Sequence, residues 1–174
     1  MIKKKFFDDV FIVKNEKFID KRGNIEILDF TRNHQMNQKY NSVITVNKNK
    51  GTIRGLHYQR KIPQSKIIKV LNGKIFDVFL NINPRSKNFM KYKYCVLDSK
   101  NSESLFISKD YAHGYQTITN DAVLVYYING KMRPDLSETI IYNDPKLDIP
   151  WPLKCSKISD KDLKGQRISF LEKK

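Results

Sequence analysis

Residues 67–80 read IIKVLNGKIFDVFL, two apolar-rich runs separated by Asn72-Gly73. Isoleucine, valine and phenylalanine dominate both runs, and these residue types favour β-strands. Asn-Gly tolerates the positive φ angles that a type I′ turn needs, so the stretch predicts a β-hairpin. No window of 12 residues has the capped 3.6-residue period of a helix, and many short strands indicate a sandwich or small barrel. Further β-rich runs are 92–97, 104–107, 115–119, 123–128 and 139–142.

The C-terminal part of the chain predicts little regular structure. Prolines at positions 145, 150 and 152 exclude a helix interior or a central strand, so we expect residues 144–153 to form an extended loop. The following segment Ser159-Asp160-Lys161-Asp162 could start a single helical turn. No repeat, low-complexity linker or break in composition divides the chain, so we expect one domain over residues 1–174.

Composition excludes several classes of protein. Hydrophobic residues make up 40% and aromatic residues 11% of the chain, which is enough for a core and excludes a disordered protein. No apolar run approaches the roughly 18 residues of a membrane span, and Asp8 and Asp9 interrupt any export signal. Cys95 and Cys155 are far apart and predict neither a disulfide framework nor a metal knuckle. We therefore expect a cytoplasmic protein with no membrane partner.

The net charge is +15, from 33 lysines and arginines against 18 acidic residues. Such a protein can bind nucleic acid, an anionic membrane surface or a small anionic substrate. Lys3-Lys4-Lys5 is the only lysine cluster, and scattered lysines usually form a solvated surface. A basic β-barrel that binds nucleic acid is one alternative, and it predicts a contiguous basic stripe with stacking aromatics.

His57 and His113 are the candidates for acid–base chemistry. Each lies in a β-rich run beside glycine and aromatic residues, whereas His34 lies in a polar stretch that predicts an exposed loop. Strict strand alternation would place Arg54 and His57 on opposite faces, unless Gly55 marks a bulge.

Other kinds of site find no support in the sequence. There is no His-x-His and no Cys/His pair, so we expect a metal-free site. No Gly-x-Ser-x-Gly elbow is present, and the 7 glycines form no dinucleotide or phosphate loop. The remaining possibility is acid–base chemistry by histidine and tyrosine, with lysine and arginine binding an anion. We expect no cofactor.

Six short motifs occur in a characteristic order along the chain. They are Gly51-Thr-Ile-Arg-Gly-Leu-His-Tyr-Gln59, Gln64-Ser-Lys66, Gly73-Lys-Ile-Phe-Asp-Val78, Tyr111-Ala-His-Gly-Tyr115, Asn143-Asp-Pro145 and Ile149-Pro-Trp-Pro152. In their order and spacing they closely resemble the dTDP-4-dehydrorhamnose 3,5-epimerase family, over residues 18–162. The resemblance implies a cupin-like double-stranded β-helix, or jelly roll, with a short C-terminal helical segment. It also implies a metal-free homodimer that acts on a nucleotide-diphospho-4-keto-6-deoxy sugar in surface-polysaccharide synthesis.

The resemblance also assigns roles to residues. It makes His57 the general base, paired with Asp162, and Tyr126 the acid that delivers a proton from the opposite face. It places Lys66 near the C4 oxygen of the sugar and makes His113 the second histidine of the substrate site. Taken without the resemblance, Tyr126 is expected to be a core aromatic.

Substrate binding is assigned in the same way. Arg22 and Arg54 match arginines that contact the diphosphate. Glu26, Asn47 and Gln59 fall at positions that the resemblance places in the substrate-binding site.

Three features depart from the family pattern. Lys131 and Met132 replace an aromatic residue, the stretch before Gly51 is short, and Glu26 lies closer than usual to the preceding Arg-Gly. These departures leave dTDP, CDP or GDP open as the nucleotide, and C3, C5 or both as the inverted centre. A 3,4-ketoisomerase is a second alternative, although that class typically has two histidines close together where this chain has Tyr58-Gln59.

Overall fold

Two packed β-sheets make up most of the structure. A computed structural model describes residues 2–31, 33–130 and 133–172. The larger sheet has the strand order β1-β2-β10-β7-β12-β5, the smaller has β13-β6-β11-β8-β9, and β3 and β4 pair only with each other. The prediction of an all-β sandwich is confirmed. In the described part of the chain the strands are β1 (Ile2–Phe7), β2 (Val10–Lys14), β3 (Glu16–Asp20), β4 (Gly23–Ile27), β5 (Tyr40–Asn47), β6 (Ile53–Gln59), β7 (Lys66–Asn72), β8 (Lys74–Asn81), β9 (Tyr92–Asp98), β10 (Glu103–Ile107), β11 (Tyr111–Thr117), β12 (Ala122–Asn129) and β13 (Ser137–Thr139).

Strand alternation divides the side chains between the space inside the sandwich and its outer faces. On β12, Leu124 and Tyr126 pack into the core between the sheets, whereas Tyr127 packs on the outer side against Phe30. Ile68 of β7 is fully buried in the same inner core. Each such side chain contributes roughly 1.5–3 kcal/mol by leaving water, so this alternation fixes which residues face the interior.

The predicted hairpin over residues 67–80 is wrong. Strands β7 and β8 form as expected, but β7 pairs with β10 and β12 while β8 pairs with β9 and β11. Gly73 has the positive φ that the Asn-Gly pair predicted, yet its carbonyl accepts from Ser99 N at 3.0 Å and the next amide donates to Thr119 Oγ1 at 2.9 Å. These partners turn the chain from one sheet to the other instead of closing a two-residue hairpin.

Four of the five remaining strand predictions hold with shifted ends. Runs 92–97, 104–107 and 123–128 lie within β9, β10 and β12. Strand β11 starts at Tyr111, before the predicted run 115–119, and ends at Thr117, before the end of that run. The run 139–142 is mostly wrong, because β13 ends at Thr139. Strands β1 to β5 were not predicted from the sequence.

A bulge in β6 changes the face of one residue. Along β6 and β11, His57 lies opposite His113 and Arg54 lies opposite Tyr115, so three steps on β6 match two on β11. Gly55 is the residue that makes this possible, because its φ is +107° and an added Cβ would lie 2.5 Å from the His113 carbonyl oxygen. Arg54 and His57 therefore both face the interior, as the bulge alternative predicted.

The C-terminal segment covers the outer face of the smaller sheet. Residues 144–153 contain no strand or helix, as predicted, and Leu147 and Ile149 pack there with Val78. A single helical turn, α1 (Asp160–Leu163), follows; the Ser159 side chain accepts from the Asp162 amide and caps it. A second short helix is α2 (Ser169–Glu172), and no described helix is long and apolar enough to cross a membrane.

Candidate active site

An open cavity of about 300 Å³ lies between the two sheets. Its walls come from both sheets and from the loop that carries α1, so residues distant in sequence meet there. Seven of the ten predicted site residues line it, six from strands and one from α1. These seven are Arg54, His57, Gln59, Lys66, His113, Tyr126 and Asp162.

His57 and Asp162 form a close pair. His57 Nε2 lies 2.6 Å from Asp162 Oδ1, and Gly55 N donates to Asp162 Oδ2 at 3.1 Å. Burial raises the pKa of Asp162. The hydrogen bond from His57 and its charge, together with hydrogen bonds from Gly55 and Ser159, lower it by more. The pKa of Asp162 therefore lies below its usual value. An ionised carboxylate only accepts hydrogen bonds, so His57 Nε2 carries the proton and Nδ1 is left as the basic nitrogen.

A second histidine–carboxylate pair joins His113, which lines the cavity, to Asp77, which is fully buried behind it. His113 Nε2 is 2.9 and 3.0 Å from the two oxygens of Asp77, and both residues are buried. Burial raises the pKa of Asp77, against the opposing effect of His113 and Lys66. Asp77 was not predicted as a site residue. A carboxylate in the middle of the apolar strand β8 is nevertheless a signal, because a buried charge needs a partner.

Lys66 begins β7 and lines the cavity, where its charge interacts with that of Asp77. Burial lowers its pKa to about 8, and the negative charge of Asp77 opposes that fall. The group is therefore still mostly charged at neutral pH, but its charge depends on Asp77.

Tyr126 faces the cavity from the larger sheet, opposite the smaller sheet that carries His57. Its ring centroid lies 5.9 Å from that of His113 and 6.4 Å from that of Tyr115. Burial, together with Tyr115 and Asp77, holds the pKa of Tyr126 well above its ordinary value, despite the opposing charge of Arg54. The phenol is therefore protonated at neutral pH, as a proton donor must be.

Comparison with known proteins identifies the family that shares this arrangement. The family model described as dTDP-4-dehydrorhamnose 3,5-epimerase matches residues 4–169. The chain belongs to this epimerase family. The sequence resemblance is thereby confirmed.

Individual relatives agree with the family assignment. The dTDP-4-dehydrorhamnose 3,5-epimerase of Neisseria gonorrhoeae is 35% identical over 128 residues, which are 73% of this chain and 39% of that protein. The Shigella flexneri enzyme of the same name is 33% identical over 120 residues, 68% of this chain and 66% of that protein. The aligned region thus spans less than two thirds of either relative.

A solved structure extends the likeness over nearly the whole chain. The crystal structure of dTDP-6-deoxy-D-glucose-3,5-epimerase from Legionella pneumophila, in complex with dTDP-4-keto-L-rhamnose, has a TM-score of 0.90 and 27% identity. The match covers 97% of this chain and 93% of that one. The jelly-roll expectation drawn from the epimerase family is confirmed.

Three residues that the epimerase family assigns to substrate binding lie at or beside the cavity. Arg54 Nε donates to Asn47 Oδ1 at 2.8 Å, so the buried Asn47 holds the arginine and does not itself line the cavity. Gln59 lines the cavity and donates through Nε2 to Arg133 O at 3.1 Å. Among the described residues its Oε1 has no hydrogen-bond partner.

Arg22 and Glu26 do not reach the cavity of their own chain, contrary to expectation. Arg22 is exposed on the β3–β4 hairpin and pairs with Asp20 at 2.6 Å. Glu26 lies on the outer face of the larger sheet, where its carboxylate pairs with the buried ammonium of Lys69 at 2.5 Å and accepts from Asn15 at 2.7 Å. Lys69 points outward on β7 and needs this counter-charge, which fixes Glu26 away from the site.

The other predictions about site chemistry have simple outcomes. His34 is exposed in a turn, as predicted. The departure from the family pattern at Lys131 and Met132 lies outside the described residues. Over the residues that the structure describes, no three His, Cys, Asp or Glu side chains are grouped to hold a metal ion.

The coupling between Lys66 and Asp77 gives a first prediction. An NMR titration of the Lys66 ε-amino group should give a pKa of about 8. Asp77→Asn removes the negative charge that opposes the fall, so the pKa should move lower still. Lys66→Met identifies the signal by removing it. A titration near the ordinary lysine value of 10.5, unchanged by Asp77→Asn, would contradict the described burial.

Proposed function

We propose that the chain is a 3,5-epimerase of a dTDP-linked 4-keto-6-deoxy sugar, and that its pathway supplies sugars for surface polysaccharide. The observation that carries the proposal is the placement of a histidine–aspartate base and a protonated tyrosine on opposite walls of one cavity. Epimerisation needs a base on one face of a carbon and an acid on the other, and this pair supplies both.

The base acts on a proton next to the C4 ketone. His57 removes that proton, and Asp162 stabilises the imidazolium that forms and keeps the ring in one tautomer. Removal leaves an enolate, whose charge grows on the C4 oxygen. Lys66 and His113 are the groups we assign to that oxygen, because preorganised positive charge and hydrogen bonds in a partly dry cavity stabilise such an anion strongly.

The acid completes the inversion. Tyr126 lies on the other sheet, so its proton reaches the carbon from the face opposite His57. Its raised pKa keeps it protonated until a strongly basic carbon lies next to it. The same cycle at C3 and then at C5 inverts both centres.

The nucleotide part of the substrate is inferred from charge and from the relatives. Arg54 has the forked donors that suit a diphosphate, and Lys109 and Lys161 also line the cavity. These cations converge on a cavity and not on a stripe, which favours a small anion over nucleic acid. The Legionella relative holds a dTDP-sugar, and a nucleotide-sugar substrate would place the reaction in the cytoplasm.

We further propose that two copies associate and that Arg22 serves the partner's cavity. The β3–β4 hairpin exposes Phe18, Ile19 and Ile25, each by more than half of its surface. Strand β5 is an unpaired edge of the larger sheet and lines the cavity with Val43 and Thr45. A hairpin from a second copy on this edge would cover apolar surface and bring an arginine toward the diphosphate.

The proposed reaction is tested by exchange with solvent. When wild-type protein is incubated with dTDP-4-keto-6-deoxyglucose in deuterated water, the sugar should incorporate deuterium at C3 and C5. NMR measures this incorporation. His57→Ala should lower the rate by roughly 10²–10⁴-fold, the usual contribution of a positioned general base. CDP- and GDP-linked substrates serve as controls for the nucleotide. No exchange by wild type with any of the three, or normal exchange by His57→Ala, would refute the proposal.

The acid is tested separately from the base. Tyr126→Phe keeps the ring and its packing but removes the proton donor, so net inversion should fall much more than deuterium exchange. Tyr127→Phe is the matched control, because Tyr127 lies on the outer face of the same strand. Equal losses of exchange and inversion in Tyr126→Phe would show that the acid is another residue.

The role of Arg22 is tested by mixing inactive subunits. Arg22→Ala and His57→Ala chains are each expected to be impaired alone. In a co-refolded equal mixture, about a quarter of all sites should combine His57 from one chain with Arg22 from the other and recover activity. Recovery no greater than the average of the two variants would mean that Arg22 acts within its own chain or not at all.

A further inference from the structure

A short backbone ladder ties the segment after α1 to residues that lie next to the proposed base. Gln166 N donates to Thr139 O at 2.8 Å, and Ile141 N donates to Gln166 O at 3.0 Å. Thr139 in turn lies opposite His57 in the pairing of β13 with β6. The position of α1, and with it the position of the Asp162 carboxylate, therefore depends on this ladder.

A buried carboxylate holds the chain just beyond the ladder. Asp144 Oδ2 accepts from Ile168 N at 2.7 Å, and Asp144 Oδ1 accepts from Lys146 N at 2.9 Å. Asp144 is 2% exposed and Ile168 is 1% exposed, so water does not compete for the bond between them. Ile168 packs in the outer core with Leu56 and Tyr58, the two neighbours of the base in β6.

The two bonds explain why a carboxylate stands at this place. The bond from Oδ1 to the amide two residues further on is an Asx turn, which asparagine makes as well as aspartate does. Only a carboxylate has a second oxygen that accepts as well. That second oxygen reaches Ile168, 24 residues further along the chain. Asp144 belongs to the motif Asn143-Asp-Pro145, to which the proposed reaction gives no role.

We propose that Asp144 is a positioning residue for the base, because it fixes the segment from which Asp162 reaches His57. The effect on catalysis rests on the proposed epimerase reaction. His57 Nε2 and Asp162 Oδ1 are 2.6 Å apart, and such a bond weakens steeply when it bends. If residues 165–168 leave the ladder, α1 shifts with them. Asp162 then no longer holds the imidazole in one tautomer or stabilises the imidazolium.

Substitution of Asp144 can separate its two bonds. In Asp144→Asn the side-chain oxygen keeps the turn with Lys146 N, and the amino group leaves Ile168 N without its acceptor. Asp144→Ser is a second variant, since its hydroxyl suits the same turn and is too short to reach Ile168. Thr119→Val is the matched control. It also removes a side-chain acceptor from a backbone amide, that of Lys74 at 2.9 Å, but at the corner between β7 and β8.

The first measurement does not depend on turnover. The proton that His57 Nε2 donates to Asp162 should give a low-field proton NMR signal, identified by its loss in His57→Ala. In Asp144→Asn this signal should move upfield or vanish through exchange with solvent, whereas Thr119→Val should keep it. An unchanged signal in both Asp144 variants would overturn the proposal. The absence of the signal from wild type would also overturn it, because there would be no fixed pair to position.

The second measurement is the reaction with dTDP-4-keto-6-deoxyglucose in deuterated water. Asp144→Asn should lose roughly 10- to 100-fold in exchange and in inversion alike, the scale of a small misplacement caused away from the reacting atoms. KM should stay within about twofold, because Arg54 is untouched. Thr119→Val should keep normal rates, and urea unfolding of each variant ensures that folded proteins are compared.

Each other result has a definite meaning. Equal losses of activity in Thr119→Val, or failure of both Asp144 variants to fold, would give Asp144 a structural role only and overturn the proposal. If wild type were inactive on every nucleotide sugar while the NMR signal responded as expected, the epimerase reaction would be refuted and the positioning of the His57–Asp162 pair would stand.

Discussion

A close approach of two glycine backbones, Gly55 on β6 and Gly114 on β11, holds the proposed base in place. An added Cβ on Gly114 would lie 2.7 Å from the Arg54 carbonyl oxygen, and one on Gly55 would lie 2.6 Å from the Gly114 Cα. The bulge that this contact permits turns Arg54 and His57 to the same side. It also leaves the Gly55 amide free to bind Asp162, which in turn binds His57. Without this close approach, Arg54, His57 and Asp162 would lose their common geometry.

Two groups of buried side chains in the sandwich combine opposite charges. Asp77 lies among Lys66 and His113, and on the outer face Glu26 lies against Lys69. Isolated charges at these depths would cost far more than a domain of this size can tolerate, so each one needs its partner. The first group serves the proposed chemistry. The second fixes the hairpin that bears Arg22, so the two halves of the proposed substrate site depend on two separate buried pairs.

Much of this fold follows from local pattern, and the exceptions have physical causes. Runs of β-favouring residues predicted β9, β10 and β12. The hairpin prediction at Asn72-Gly73 was wrong because a positive φ at Gly73 suits a crossing between sheets as well as a hairpin. Partners distant in sequence, such as Thr119, decide between the two. Strands β3 and β4 were not predicted because their residues are mostly exposed in one chain, so burial imposes no alternating pattern on them.

The division of the cavity between two sheets has a consequence for stereochemistry. His57 belongs to one layer and Tyr126 to the other, so the side from which each approaches a bound ring follows from sheet membership. Stacked sheets lie about 10 Å apart, enough for side chains from both layers with a flat ring between them. The handedness of a product is then a property of the architecture and not of a few side-chain conformations. Replacing a residue on either layer can slow such a reaction, but it cannot easily make the product's mirror configuration.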